Sequence, residues 1–232
     1  MFGWFDPRYW LFIAPALLFM LYAQWRVQSA YNKWGRVANS HNIPGVRVAE
    51  RLLQESGMYG VNIRGIRGQL TDNYDPRNKT LNLSEGTAQQ ESVAALAVVA
   101  HEVGHAQQDA SDFFLLRLRS GLVPAVNFGS QLGPILFLVG LLLQFSPLMW
   151  VGIIFFSAAF VFALVTLPVE LDASRRAMGM LTSTGLVVGD REKRGARAVL
   201  SAAALTYVAA LLTALFQLLY YIMLATGGRR RD

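Results

Sequence analysis

His101 and His105 stand four positions apart, with Glu102 beside the first, in the stretch His101-Glu102-Val103-Gly104-His105. On a helix, positions i and i+4 share a face, so both imidazoles can reach one metal ion. The carboxylate of Glu102 projects next to them, where it can take a proton from a metal-coordinated water. Zinc-assisted hydrolysis is the chemistry this spacing fits. The competing reading makes both histidines helix-packing or membrane-flanking residues.

A catalytic zinc needs a third protein ligand and an open position for water. The chain has no cysteine, so that ligand is a histidine or a carboxylate. Of the three histidines, only His41 remains, in a Ser-His-Asn-Ile-Pro stretch that reads as a polar loop. Glu170 is the better candidate. It follows a long apolar run, where a carboxylate is costly unless solvated or paired, and zinc would pair it. The alternative is a solvated carboxylate at the membrane interface. Asp109 and Asp112, one and two turns past His105, are candidates for orienting an imidazole or are solvated helix-end charges. Asp172 and Arg175 are weaker candidates for supporting the ligands, or pair with each other at i,i+3.

The elements that position these residues include membrane spans. The 232 residues are 53% hydrophobic and 16% charged, against about 25% charged in a soluble domain. Tyr9 to Trp25 carries no charge and has aromatic flanks, which favours a span over a cleaved signal peptide. Ser120 to Val169 is also uncharged and about twice the length of one span. Gln144-Phe145-Ser146-Pro147 breaks it into a hairpin, with spans near Pro124–Phe145 and Leu148–Pro168. Val199 to Leu224 gives a fourth. Four spans place residues 28–118 and 170–198 on one side of the membrane, together with most of the Lys and Arg. The positive-inside rule puts that side in the cytoplasm, although Arg229–Arg231 weigh the other way. The net charge of +6 is accounted for by these flanks, and no aromatic–basic motif or phosphate loop points to nucleic acid.

Between the first two spans the pattern is that of a small α+β unit. Pro44 to Ser56 has helical spacing and ends at Gly57. Val61-Asn62-Ile63 alternates as a strand, with Gln69 to Asn73 as its expected pairing partner. Asp75-Pro76-Arg77-Asn78 is a turn, and Thr80 to Ser84 is a strand. After a polar link, a helix from about Glu91 to Gln108 carries the histidines. Thr80 to Ser84 is either an edge strand that holds an extended substrate or a covered scaffold strand.

Three segments resemble the YugP-type family of integral membrane neutral zinc metallopeptidases: Thr71–Arg77 through Leu83–Gly86, Ala94–Ala97 through His101–Gln108, and Pro168–Ala177. The likeness in length and hydropathy extends over nearly the whole chain. More distantly, the chain is similar to HtpX-type and CAAX-prenyl-type membrane proteases. Those carry the third zinc ligand as a Glu, with Ala three and Asp four positions later. Glu170 and Ala173 fit, but Ser174 stands where the Asp would, and Asp172 is the expected substitute.

The resemblance implies a gluzincin-like zinc metalloendopeptidase. His101, His105 and Glu170 would bind Zn²⁺, and Glu102 would serve as general base and then acid. Tyr74, Arg175 and Arg176 are candidates for stabilising the oxyanion. A site at the membrane surface makes loops and tails of membrane proteins, or extended soluble segments, the expected protein or peptide substrates, and the resemblance implies membrane-protein quality control as the role. The alternative is a catalytically inactive zinc-binding membrane scaffold or assembly factor. The expected fold is an α-helical integral membrane protein of about four transmembrane helices, with a small α+β zincin-like catalytic unit at the membrane surface. The expected division is 1–27, an N-terminal transmembrane helix; 28–119, the catalytic segment; 120–169, a transmembrane hairpin; 170–198, a membrane-proximal segment holding the third ligand; and 199–232, a last span with a basic tail. The localisation expected is multi-pass in the cell membrane, the catalytic segment facing the cytoplasm. Nothing in the sequence sets an oligomeric state.

Overall fold

The computed structural model describes residues 7–227; Trp4 and the basic run Arg229–Arg231 lie outside the described residues. Seven helices and three strands run in the order α1 (Pro7–Trp34), α2 (Gly45–Glu55), β1 (Asn62–Ile66), β2 (Asn73–Asp75), β3 (Thr80–Ser84), α3 (Glu85–Gln89), α4 (Val93–Ala110), α5 (Phe114–Leu142), α6 (Ser146–Ser183) and α7 (Gly189–Gly227). They form two compact units. One comprises residues 1–22, 117–168 and 206–232, and the other residues 23–116 and 169–205.

The first unit is helical. Among the described residues, α1, α5, α6 and α7 are long and apolar enough to cross a membrane, as the hydropathy of the sequence requires. The hairpin break also falls where expected, with α5 ending at Leu142, Gln144 at a φ of 54°, and Pro147 in the first turn of α6, where its missing N–H costs nothing. Glycines set how closely α5 and α6 approach. A Cβ on Gly133 would lie 2.7 Å from the Phe156 backbone nitrogen, and one on Gly152 would lie 2.5 Å from that of Phe137. Gly129 meets Phe155 O in the same way. Small residues that let backbones touch are how helices associate where lipid removes the hydrophobic drive.

All four helices are longer than their apolar runs. The expected third span stops at Pro168, yet α6 continues to Ser183 with Pro168 inside it. Beyond Pro168 the helix no longer depends on an apolar environment. Val169, Ala173, Ala177 and Leu181 are buried at helical spacing, and Ala177 and Leu181 join the core of the second unit.

That second unit is built around α4. Ser92 caps it, its hydroxyl accepting from the Ala95 N–H at 3.1 Å, and the first two turns, Val93 to Ala100, are almost wholly buried. Against it pack α2, through Val48, Ala49, Leu52 and Leu53, and β3, through Leu81 and Leu83. The helical spacing of these residues in α2 and their alternation in β3 are the two periods that place apolar side chains on one face. Gly57, at a φ of 70°, ends α2 in the left-handed conformation that glycine adopts without strain.

The sheet order differs from the expectation. The strands lie β1-β3-β2, with β1 parallel to β3 (Ile63 opposite Leu81) and β2 antiparallel to it (Tyr74 opposite Leu81). The segment before Asn73 therefore does not pair with β1. β3 is the central strand because Leu81 and Leu83 are fully buried, and a strand with that much apolar surface is covered best in the middle. β3 is thus not an edge, and it is closed to strand addition over the residues where both neighbours pair with it, Thr80 to Asn82. The polar link after β3 contains the short helix α3. Asp72 organises this corner: its carboxylate accepts from the Ser84 N–H (2.8 Å), the Ser84 hydroxyl (2.9 Å) and the Thr87 hydroxyl (3.0 Å).

Candidate metal centre

His101 and His105 project from the same face of α4, and Glu170 comes from α6, all within the second unit. His101 Nε2 lies 3.1 Å from Glu170 Oε2, and His105 Nε2 lies 3.5 Å from the same oxygen. One donor atom from each residue falls within 4.8 Å of the others. Zinc bonds of about 2.0–2.1 Å at tetrahedral angles place ligand atoms about 3.3 Å apart, so both edges to Glu170 fit that ion. The side chains are 13%, 11% and 2% exposed, respectively, which leaves a small opening on the imidazole side. A carboxylate as buried as Glu170 needs positive charge beside it.

Gly104 makes this meeting possible. A Cβ there would lie 2.6 Å from Ala173 O and 3.3 Å from Ala173 Cα. Only glycine lets α4 come this close to the stretch of α6 that carries Glu170.

Glu102 is held from the other side. Its Oε2 accepts the Tyr74 backbone N–H at 3.0 Å, which fastens β2 to α4. Burial pushes the Glu102 carboxyl above its ordinary pKa, with Glu170 and Asp72 adding to the rise and the two imidazoles opposing it. Burial alone would depress His105. The hydrogen bond and charge of Glu170, with the charge of Glu102, outweigh it and raise the imidazole pKa. The site therefore presents negative potential to a cation.

Each imidazole has a partner on its far nitrogen. Ser174 Oγ sits 3.2 Å from His101 Nδ1, so the residue in the place of the expected Asp itself touches this candidate ligand, in the position expected of Asp172. Gln108 Oε1 sits 3.0 Å from His105 Nδ1. Gln108 drew no attention in the sequence, although position i+3 from His105 puts it on the ligand face. Asp172 instead accepts from Gln108 Nε2 (3.0 Å) and from Arg176 Nε (2.6 Å), with Arg175 at 3.3 Å. Arg176 also lies over the Phe113 ring.

Other candidates are engaged elsewhere. His41 is exposed on its loop, with Nε2 2.9 Å from Gly185 O, and is not part of the cluster. Asp109 accepts the Tyr74 hydroxyl at 2.8 Å rather than touching an imidazole. That bond commits the Tyr74 hydroxyl, and burial together with Asp109 drives its pKa far above the usual tyrosine value. Of the three oxyanion candidates, Tyr74 is thus tied to Asp109, and Arg175 and Arg176 to Asp172.

Comparison with known proteins agrees with this geometry. Residues 9–226 match the sequence family described as "Putative neutral zinc metallopeptidase". The chain is 44% identical over 214 residues to the "Putative membrane protease YugP" of Bacillus subtilis (strain 168), covering 92% of this chain and 95% of that one. No solved structure matches. With four helices apolar enough to span a bilayer and a His/His/Glu cluster suited to zinc, the chain is a multi-pass membrane protein that belongs to the neutral zinc metallopeptidase family.

Proposed function

We propose that the protein is a zinc-dependent endopeptidase in which His101, His105 and Glu170 hold the ion and Glu102 is the general base. The observation that carries this reading is the convergence of three donor atoms from two separate segments beside a part-buried, hydrogen-bonded carboxylate. Zinc bound there would act as a Lewis acid and bring the pKa of a coordinated water toward about 7.

The remaining work falls to the chain's own groups. Glu102 takes a proton from water on one Oε and returns it to the leaving amine. Burial raises its pKa, a direction that favours keeping the proton between the two halves of that exchange. The Tyr74 N–H takes one lone pair of Oε2 and so orients the carboxylate for that exchange. Because β3 is central, an extended substrate would lie along the outer side of β2, the strand that touches Glu102.

We place this site at the cytoplasmic membrane surface. The distribution of Lys and Arg supports that side. The position of His101 outside the apolar runs, with polar Gln89-Gln90-Glu91 and Gln107-Gln108-Asp109 on either side, supports a surface location over an intramembrane one. The substrates proposed are exposed loops and tails of membrane proteins, and the role is their quality control. The decisive experiment uses Glu102→Gln in the full-length protein. Zinc content should match wild type while cleavage of an unfolded polypeptide falls by at least about 100-fold, the scale of a lost acid–base group. An undiminished rate in the variant would sink Glu102 as the base, and bound zinc without turnover in either protein would favour the inactive scaffold.

A further inference from the structure

We propose that Gln108 is a positioning residue that fixes the tautomer of His105 and ties that ligand to the segment bearing Glu170. The inference rests on the reading of His101, His105 and Glu170 as zinc ligands.

Gln108 is fully buried, so each of its amide atoms needs a partner. One side of the amide faces Val169 O at 2.8 Å and Asp172 Oδ2 at 3.0 Å. A backbone carbonyl and a carboxylate only accept, so the –NH₂ group must point at them. Both amide hydrogens are then used. Oε1 is left facing His105 Nδ1 at 3.0 Å, and since it cannot donate, Nδ1 must carry the hydrogen. In the neutral ring the lone pair then belongs to Nε2, the nitrogen that faces Glu170.

Only a carboxamide can do this. It must accept on one side and donate twice on the other, and the side chains that combine both functions in one planar head are Asn and Gln. The donor side lands on Val169 O, one residue before Glu170, and on Asp172, two residues after it. One amide therefore spans the two halves of the ligand set. The Ser174 hydroxyl beside His101 does not select a tautomer in this way, because it both donates and accepts.

The test uses the full-length protein in detergent, with ¹⁵N-labelled histidine and zinc alone as the ligand. The chain has three histidines, so the ring-nitrogen spectrum is small enough to assign with His41→Ala and His101→Ala. In zinc-free wild type near pH 8, His105 Nδ1 should carry a hydrogen. Gln108→Met should lose that bias and bind zinc about 10–100-fold more weakly in chelator competition, the cost expected for a residue that orients a ligand. Gln108→Asn is one methylene shorter, less prone to misfold, and too short to reach both sides. It should shift the tautomer ratio and weaken zinc at least threefold. A purely structural role would lower the zinc-free melting temperature and leave the tautomer unchanged. An unchanged tautomer, or affinity within twofold of wild type in both variants, overturns the proposal. Wild-type zinc binding that survives Glu170→Ala would instead overturn the ligand assignment beneath it.

Discussion

The two units expose opposite kinds of side chain. In the helical one, Leu132, Ile135, Leu138, Leu142, Ile154 and Leu164 face outward, and glycines occupy the contacts between α5 and α6. In the other, Leu52, Leu81, Leu83, Leu96, Leu181 and Leu186 have no accessible surface, and the charged side chains other than Glu170 and Glu192 lie mostly outside. Each pattern is stable only in its own solvent. Apolar surface is free to face hydrocarbon, so helices there gain from close backbone approach. In water the same surface must be buried, at about 25 cal/mol per Å². The polar hydrogen-bond network of the metal centre belongs to the second unit, where packed apolar side chains hold it in place.

Glu170→Ala is expected to have the largest effect on this contrast. It removes the acidic member of the proposed ligand set, and zinc affinity should fall by more than the ~100-fold upper range for a supporting residue. Metal analysis after dialysis, with His41→Ala as control, reads it directly. Retained zinc in Glu170→Ala and loss in His41→Ala would reverse the assignment. Next comes a matched pair of truncations. Leu52→Ala leaves a cavity in the water-facing core and should cost about 2–5 kcal/mol. Leu164→Ala changes a side chain that is 50% exposed among the apolar helices and should cost about 0.5 kcal/mol or less. Thermal unfolding of both in one detergent tests the contrast, and equal costs would break it.

Gly133→Val addresses the other side of the comparison. The new side chain would press on the Phe156 backbone, and about 1–3 kcal/mol of overpacking strain is expected with zinc binding intact. Ser174→Ala should be much milder than Glu170→Ala. It removes a hydroxyl 3.2 Å from His101, worth about 1 kcal/mol, so zinc should bind about fivefold more weakly.

These effects also separate what could be read from the sequence and what could not. His101, Glu102 and His105 were readable because their geometry is local to one helix. Glu170 was readable because an acidic group after an apolar run is conspicuous by its cost. The pairing of β1 with β3 was not, since hairpin signals report neighbours in sequence and this parallel pair is separated by β2. Nor was the extension of α6, because hydropathy marks where lipid ends rather than where a helix does. Gln108 and Ser174 escaped for another reason. Uncharged polar residues fit a solvated face equally well, and only the partner across the gap tells the two cases apart.

Gly104 has a consequence for variation of this chain. Any larger residue at that position would need Ala173 to retreat, and Ala173 lies between Glu170 and Ser174 on α6. Position 104 is therefore constrained by the α6 backbone at 173, whatever side chain stands there. Screens that randomise the two central positions of H-E-x-x-H independently should recover Gly at 104 far more often than any one residue at 103. A different residue at 104 would be admitted only alongside a compensating change on α6. The second variable letter of the motif is, in this protein, not variable at all.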